Sequence, residues 1–190
     1  IDIGPYRTFF KVAPPLRGND DRVALVQALA VGLIDVVMSD HNPQDVETKR
    51  LPFAEAAPGA IGLETLLPLT YTRGVLDGRL TLEEMSAKLS TNPARIMGLY
   101  PRKGAIQIGA DADLAIIHPQ HRETVTPARM ETNADWSPFE GWQLAGFART
   151  SREVIVEQWG GDRLSDDGVA AIAARKGALW RESKTGGKRS

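Results

Sequence analysis

Asp40 is the first residue whose type and place could do chemistry. It follows Ile34-Asp35-Val36-Val37-Met38, a compact apolar run rich in β-branched residues that reads as a buried parallel strand. Groups just past the carboxyl end of such a strand are where parallel α/β architectures place their chemistry. A carboxylate there binds a divalent cation or takes a proton from water, or it simply caps the loop that follows. His41 is a metal ligand on one reading and a packing or orienting residue on the other. Asn42-Pro43-Gln44-Asp45 either touches a substrate or turns the chain. Pro58, Gly59 and Gly62 stand open between a backbone that approaches a ligand closely and a plain loop-to-helix transition. His118 and His121 flank Pro119, so they do not share a helical face, and they read as surface residues. Trp136, Phe139 and Trp142 either stack on a ligand or bury one another in a local aromatic cluster.

The elements that must position these groups follow from periodicity and punctuation. Residues 9–14 are short and partly apolar. Asn19-Asp20-Asp21 places acids in the first turn of a helix. Val23, Leu25, Val26, Leu29 and Ala30 recur at helical spacing, and Gly32 ends that helix. With the run at 34–38 this predicts a βαβ unit with parallel strands. Residues 39–62 have turn chemistry and no periodicity, which is long for a connector and points to a functional loop or a disordered one. Helices are expected at 63–76 and 81–89, the second opened by a capping box of Thr81 and Glu84. Asn92-Pro93 starts another. From 101 the character changes to short strands and tight turns around Gly104, Gly109 and 113–117, with a further strand at 154–156. A terminal helix is expected at 167–182 and a disordered basic tail at 184–190.

Composition narrows the class. The chain has 190 residues with 42% hydrophobic and 25% charged residues, ordinary for a globular protein. Lys and Arg number 23 against 24 Asp and Glu, and the formal net charge of -1 argues against a nucleic-acid binder. Cysteine is absent, which excludes disulfides, thiolate metal sites and cysteine nucleophiles. Only three His are present, at 41, 118 and 121. No apolar run is long enough to span a membrane and no signal peptide opens the chain, so the expected compartment is the cytoplasm. The opening Ile1 leads us to expect a longer parent protein.

Several motifs then occur in a telling order. Met38-Ser39-Asp40-His41-Asn42-Pro43-Gln44, followed by Gly59-Ala60-Ile61-Gly62-Leu63-Glu64-Thr65, resembles the last barrel strand and loop of dihydroorotase, a cyclic-amide hydrolase of the amidohydrolase superfamily. Lys11-Val12-Ala13-Pro14-Pro15-Leu16-Arg17 is similar to its seventh-strand motif. Thr91-Asn92-Pro93-Ala94, the stretch from Gly104 to Leu114, and Ser137-Pro138-Phe139-Glu140-Gly141-Trp142 resemble its later signatures. Singly these are weak, and their shared order makes them specific.

The resemblance implies the C-terminal part of a (β/α)8 TIM-type barrel carrying a small β-sandwich. Residues 1–100 would hold the last two barrel strands with their helices, 101–160 the sandwich, and 161–190 a terminal helix and tail. It implies one or two zinc ions, with Asp40 as metal ligand and proton shuttle. It places Gln44, Pro58 and Gly59 against the substrate. The His-x-His pair, a carboxylated Lys or acid, and two further His of the family would lie before Ile1. Two strands cannot close a barrel, so the piece alone is expected to be inactive and partly unfolded. Its partner would be the N-terminal half of the same enzyme, with a homodimer or aspartate transcarbamoylase beyond that.

Two departures bear on the substrate. Ala13 stands where the family usually has Asn, and Gln44 where it usually has His. Ala13 offers no side-chain hydrogen bond. Gln44 is uncharged and holds an anion less strongly than an imidazolium does. Dihydroorotate and carbamoyl-aspartate are the expected substrates. The alternatives are a silent subunit partnering aspartate transcarbamoylase, which an intact Asp40 disfavours, and a hydantoinase- or allantoinase-type enzyme.

Overall fold

The computed structural model describes residues 4–134 and 136–150. The expectations at 154–156, 167–182 and 184–190 lie outside them. The chain divides into two compact units, one from Ile1–Leu89 and Ile117–Ala148, the other from Ser90–Ile116 and Arg149–Ser190.

In the first unit, helix α1 spans Asn19–Ala30. Its first turn carries Asp20 and Asp21, and the Asp21 carboxylate accepts the Gly18 N–H at 3.2 Å. Gly32, at φ +80°, lets the chain turn back, so that Leu33 N–H donates to the Ala28 carbonyl at 2.9 Å. The helix therefore starts and stops where the sequence places its signals. Its apolar positions are another matter: Leu25 stays 60% exposed, because spacing dictates a helix but not what covers it.

The expected βαβ ladder is not formed. A 3₁₀ turn, Thr8–Phe10, occupies the first predicted strand, and residues 34–40 carry no regular structure. A parallel strand takes its hydrogen bonds from neighbours on both edges, and among the described residues those neighbours are missing. What remains is a side tie. Val37 N–H donates to the Lys88 carbonyl at 3.2 Å, and the buried Lys88 ammonium donates to the Ile34 carbonyl at 2.6 Å.

Helix α2 is the short Val46–Arg50, inside the stretch predicted to be irregular. Helix α3, Leu66–Thr70, continues as a wider π-type turn over Tyr71–Leu76. Helix α4, Leu82–Ser86, opens with the predicted capping box. Glu84 N–H donates to Thr81 Oγ1 at 3.1 Å, and Thr81 N–H donates to the Glu84 carboxylate at 2.7 Å.

Strand β1 is Ile116–Ile117, β2 is Arg122–Thr124, β3 is Gln143–Ala145 and β4 is Ala148–Thr150. β2 and β3 pair antiparallel, Glu123 opposite Leu144. Tyr71, Met85 and Ala145 form a buried cluster, with Leu67, Val75, Leu89 and Ile117 packed on it. Ile61 and Leu144 are fully buried, each stabilising the fold by about 1.5–3 kcal/mol. The Thr72 hydroxyl joins the helix to β3, accepting the Ala145 N–H at 2.9 Å.

The second unit holds helix α5, Asn92–Ile96, with Pro93 in its first turn as expected. The Thr91 hydroxyl donates to the Gly104 carbonyl at 2.7 Å. The Lys103 ammonium bridges the carboxylates of Asp113 and Asp111, which hold it above the ordinary lysine range. Among the described residues no helix is long and apolar enough to cross a membrane.

Candidate active site

The site is built on residues 39–62, which fold back so that two stretches of backbone run side by side. His41 and Ala60 form an isolated parallel bridge, and Asn42 N–H donates to the Ala60 carbonyl at 2.9 Å. Only glycine fits the contact. A Cβ on Gly59 would stand 2.5 Å from the Asn42 carbonyl oxygen, and one on Gly62 would stand 2.8 Å from that of Ser39. Gly59 also adopts φ +145°, a region that side chains avoid.

Asp40 immediately precedes His41 in the first of these stretches, with φ +44°. It is exposed, and its carboxylate has no hydrogen-bond or ion-pair partner among the described residues. A non-glycine residue at positive φ is uncommon, Asp being one of the types that tolerate it. The residue that follows is pinned. His41 Nδ1 accepts the N–H groups of Gly62 at 3.3 Å and Leu63 at 3.2 Å. That nitrogen is therefore an acceptor, and the ring proton belongs on Nε2. Of the two readings of His41, the structure gives the orienting one to Nδ1.

The predicted substrate-side residues are placed as follows. The Gln44 side chain donates to Asn42 Oδ1 at 2.9 Å, and its carbonyl accepts the indole N–H of Trp136 at 3.0 Å. The Pro58 carbonyl accepts from Asn42 Nδ2 at 3.4 Å. Gly59 N–H donates to the Lys11 carbonyl at 2.9 Å, and the Gly59 carbonyl accepts from Lys49 Nζ at 2.9 Å. Asn42 thus joins Gln44 and Pro58 by hydrogen bonds, while Gly59 is bonded to Lys11 and Lys49 and only approached closely by Asn42. A large open cleft of about 1200 Å³ is lined by Gln44 together with Arg7, Arg50 and Trp136, and it does not include Asp40, Pro58 or Gly59.

Trp136 is buried, packs edge-on against Phe9 at 5.1 Å, and lies 5.4 Å from the Lys49 ammonium. Phe139 and Trp142 form a separate edge-to-face pair at 5.6 Å. The aromatic residues are packing groups, as one of the two readings held, in two clusters rather than one. His118 is exposed. His121 lies 2.7 Å from Glu123, away from residues 39–62.

Lys49 and helix α2 are what sequence reasoning missed. Lys49 is fully buried and its ammonium donates to three carbonyls, of Lys11 at 3.2 Å, Ala57 at 3.1 Å and Gly59 at 2.9 Å. Burial, then the Lys11 charge, pushes it below the usual lysine range. The local signal for α2 was present. Asp45 caps it by accepting the Thr48 N–H at 2.7 Å, Glu47 is in its first turn, and Lys49 and Arg50 are in its last.

The same bond from Thr48 holds the Asp45 carboxyl below its ordinary range. Its contribution is therefore present above about pH 4 and is lost as the pH falls through the lower folded value. The protection factor of the Thr48 amide, its exchange rate relative to the intrinsic rate at the same pH, should fall on acidification, and equally in Asp45→Ala at neutral pH, while Met85 in α4 stays protected. Equal protection of Thr48 in both proteins would count against the cap.

Among the described residues no group of three or more His, Cys, Asp or Glu could hold a metal ion. A zinc site takes three or four such donors. These residues therefore do not make one by themselves.

Residues 35–157 match the family model described as the Amidohydrolase family, and the chain belongs to that family. It is 36% identical over 180 residues to the L-hydantoinase of Paenarthrobacter aurescens, covering 92% of this chain and 38% of the relative. It is 40% identical over 141 residues to the dihydroorotase of Syntrophus aciditrophicus, covering 74% of this chain and 32% of the relative. The solved D-hydantoinase (dihydropyrimidinase) from Thermus sp. is similar with a TM-score of 0.71 and 37% identity, over 76% of this chain and 33% of that one. The chain thus spans about a third of the length of these relatives.

Proposed function

We propose that the intact protein is a metal-dependent hydrolase that opens cyclic amides at a ring C–N bond, within a (β/α)8 barrel bearing a β-sandwich. The observation that carries this is Asp40, a carboxylate with no partner among the described residues, held at positive φ next to the pinned His41. In the reaction water bonds to the ring carbonyl carbon and the carbon–nitrogen bond breaks. Asp40 takes the proton from that water and delivers it to the departing nitrogen. A bound zinc ion polarises the carbonyl and makes water more acidic; Asp40 would be one of its donors, the rest coming from outside the described residues.

The preferred ring is uncharged, of the hydantoin type. Ala13 has no polar side chain, and the Gln44 amide is committed to Asn42. Neither offers a cation to a substrate carboxylate. The hydantoinase similarity, which covers 92% of the chain, supports this. A second reading, dihydroorotate with carbamoyl-aspartate, is favoured by the 40% identity to a dihydroorotase.

The intact protein loaded with zinc should hydrolyse hydantoin with kcat/KM at least about tenfold above that for dihydroorotate, and a chelator should abolish both. Replacing Ala13→Asn and Gln44→His together should narrow that ratio by restoring polar contacts to the anion. Dihydroorotate preferred by the unaltered protein would reverse the assignment, and turnover of neither by metal-loaded protein would end it.

A further inference from the structure

A buried lysine with no carboxylate beside it is expensive to keep. Lys49 is such a residue: it is fully buried, its ammonium donates to carbonyl oxygens, lies over the Trp136 ring and feels the like charge of Lys11, and no acid pairs with it among the described residues. An ammonium has three N–H donors, and all three are matched, to Lys11 at 3.2 Å, Ala57 at 3.1 Å and Gly59 at 2.9 Å. These acceptors lie on two segments well apart in sequence. Lys11 belongs to the stretch before Ala13, and Ala57 and Gly59 bracket Pro58. The Lys11 carbonyl also accepts the Gly59 N–H at 2.9 Å, so one oxygen receives both the lysine and the glycine. A Cβ on Gly59 would stand 2.5 Å from the Asn42 carbonyl oxygen, so no side chain would fit there. Gly59 is thus held by Lys49 and closely approached by Asn42.

We propose that Lys49 is a positioning residue for substrate binding: its ammonium gathers the Lys11, Ala57 and Gly59 carbonyls and so sets the Pro58–Gly59 backbone, which the resemblance to dihydroorotase puts against the substrate. This rests on the cyclic-amidohydrolase reading. A contact from this backbone would hold substrate and transition state alike, so its displacement changes KM rather than kcat.

The test uses the intact, zinc-loaded protein with Lys49→Met, which keeps the length of the side chain and removes the donors. KM for the better of hydantoin and dihydroorotate should rise at least about tenfold with kcat within about threefold. Amide exchange at Gly59 should accelerate at least about tenfold while the buried Met85 amide is unchanged. Faster exchange at Gly59 and Met85 together would mean a merely structural lysine and overturn the proposal. So would unchanged exchange at Gly59, or a local change there with KM unaltered. If the Met variant does not fold, Lys49→Gln retains two donors and should show the same two changes in smaller measure, wild-type behaviour in either being fatal. Should the unaltered protein turn over no cyclic amide, the functional reading fails, and the exchange measurement still decides whether Lys49 holds Gly59.

Discussion

Replacing Asp40→Asn in the intact, metal-loaded protein is expected to lower kcat by about 10²–10⁴-fold, the range that a positioned acid or base contributes. The side chains have nearly the same shape, and Asn tolerates positive φ at least as well as Asp. The carboxylate is exposed and unpartnered among the described residues, so its neutralisation breaks no contact of the fold. Melting temperature should therefore stay close to that of the unaltered protein, as for other surface changes. What disappears is the group that takes a proton from water and hands it to nitrogen. Steady-state kinetics together with a thermal melt separate the two effects. A kcat within threefold of the unaltered protein would show that Asp40 is a loop residue only.

Gly59→Ala should be the most damaging small substitution near the site. The added Cβ would stand 2.5 Å from the Asn42 carbonyl oxygen and 3.0 Å from its side-chain nitrogen, at a backbone angle of φ +145°. Neither neighbour moves cheaply. Asn42 N–H is bonded to the Ala60 carbonyl, and Gly59 N–H and carbonyl are bonded to Lys11 and Lys49. Strain and overpacking together are expected to cost about 2–4 kcal/mol in stability, read by denaturant unfolding of the intact protein. Gly32→Ala is the control. Gly32 also has positive φ but open space around its missing Cβ, so only the left-handed conformation is penalised, by about 1–2 kcal/mol. Equal losses in the two variants would show that the close approach to Asn42 contributes nothing.

Local chemistry was legible wherever its partners are near in sequence. The capping box of Thr81 and Glu84, the stop at Gly32 and the helix opened by Asn92-Pro93 all lie where their residues put them. Each depends on hydrogen bonds spanning a few residues, so residue type and spacing suffice. The membership of the family was legible in the same way, through the motif around Asp40 and its order with the glycine loop. The strand at 34–38 shows the limit of that kind of reasoning. Its β-branched residues state a preference, but a strand exists only by pairing, and the described residues bring it no ladder.

The hold of Lys49 on Gly59 belongs wholly to the tertiary structure. In the sequence Lys49 lies in a stretch of turn chemistry without periodicity, yet the fold removes it from water completely. Its acceptors are carbonyl oxygens 38, 8 and 10 positions away. Every residue carries such an oxygen, so no side-chain pattern marks the ones that will converge. For the same reason His41 could be read from its neighbours as ligand or as brace. The choice came only when the fold placed the N–H groups of Gly62 and Leu63 on its Nδ1. Residue types near Asp40 determined which chemistry is available, and the long-range packing of backbone against side chain decided which residues hold it in place.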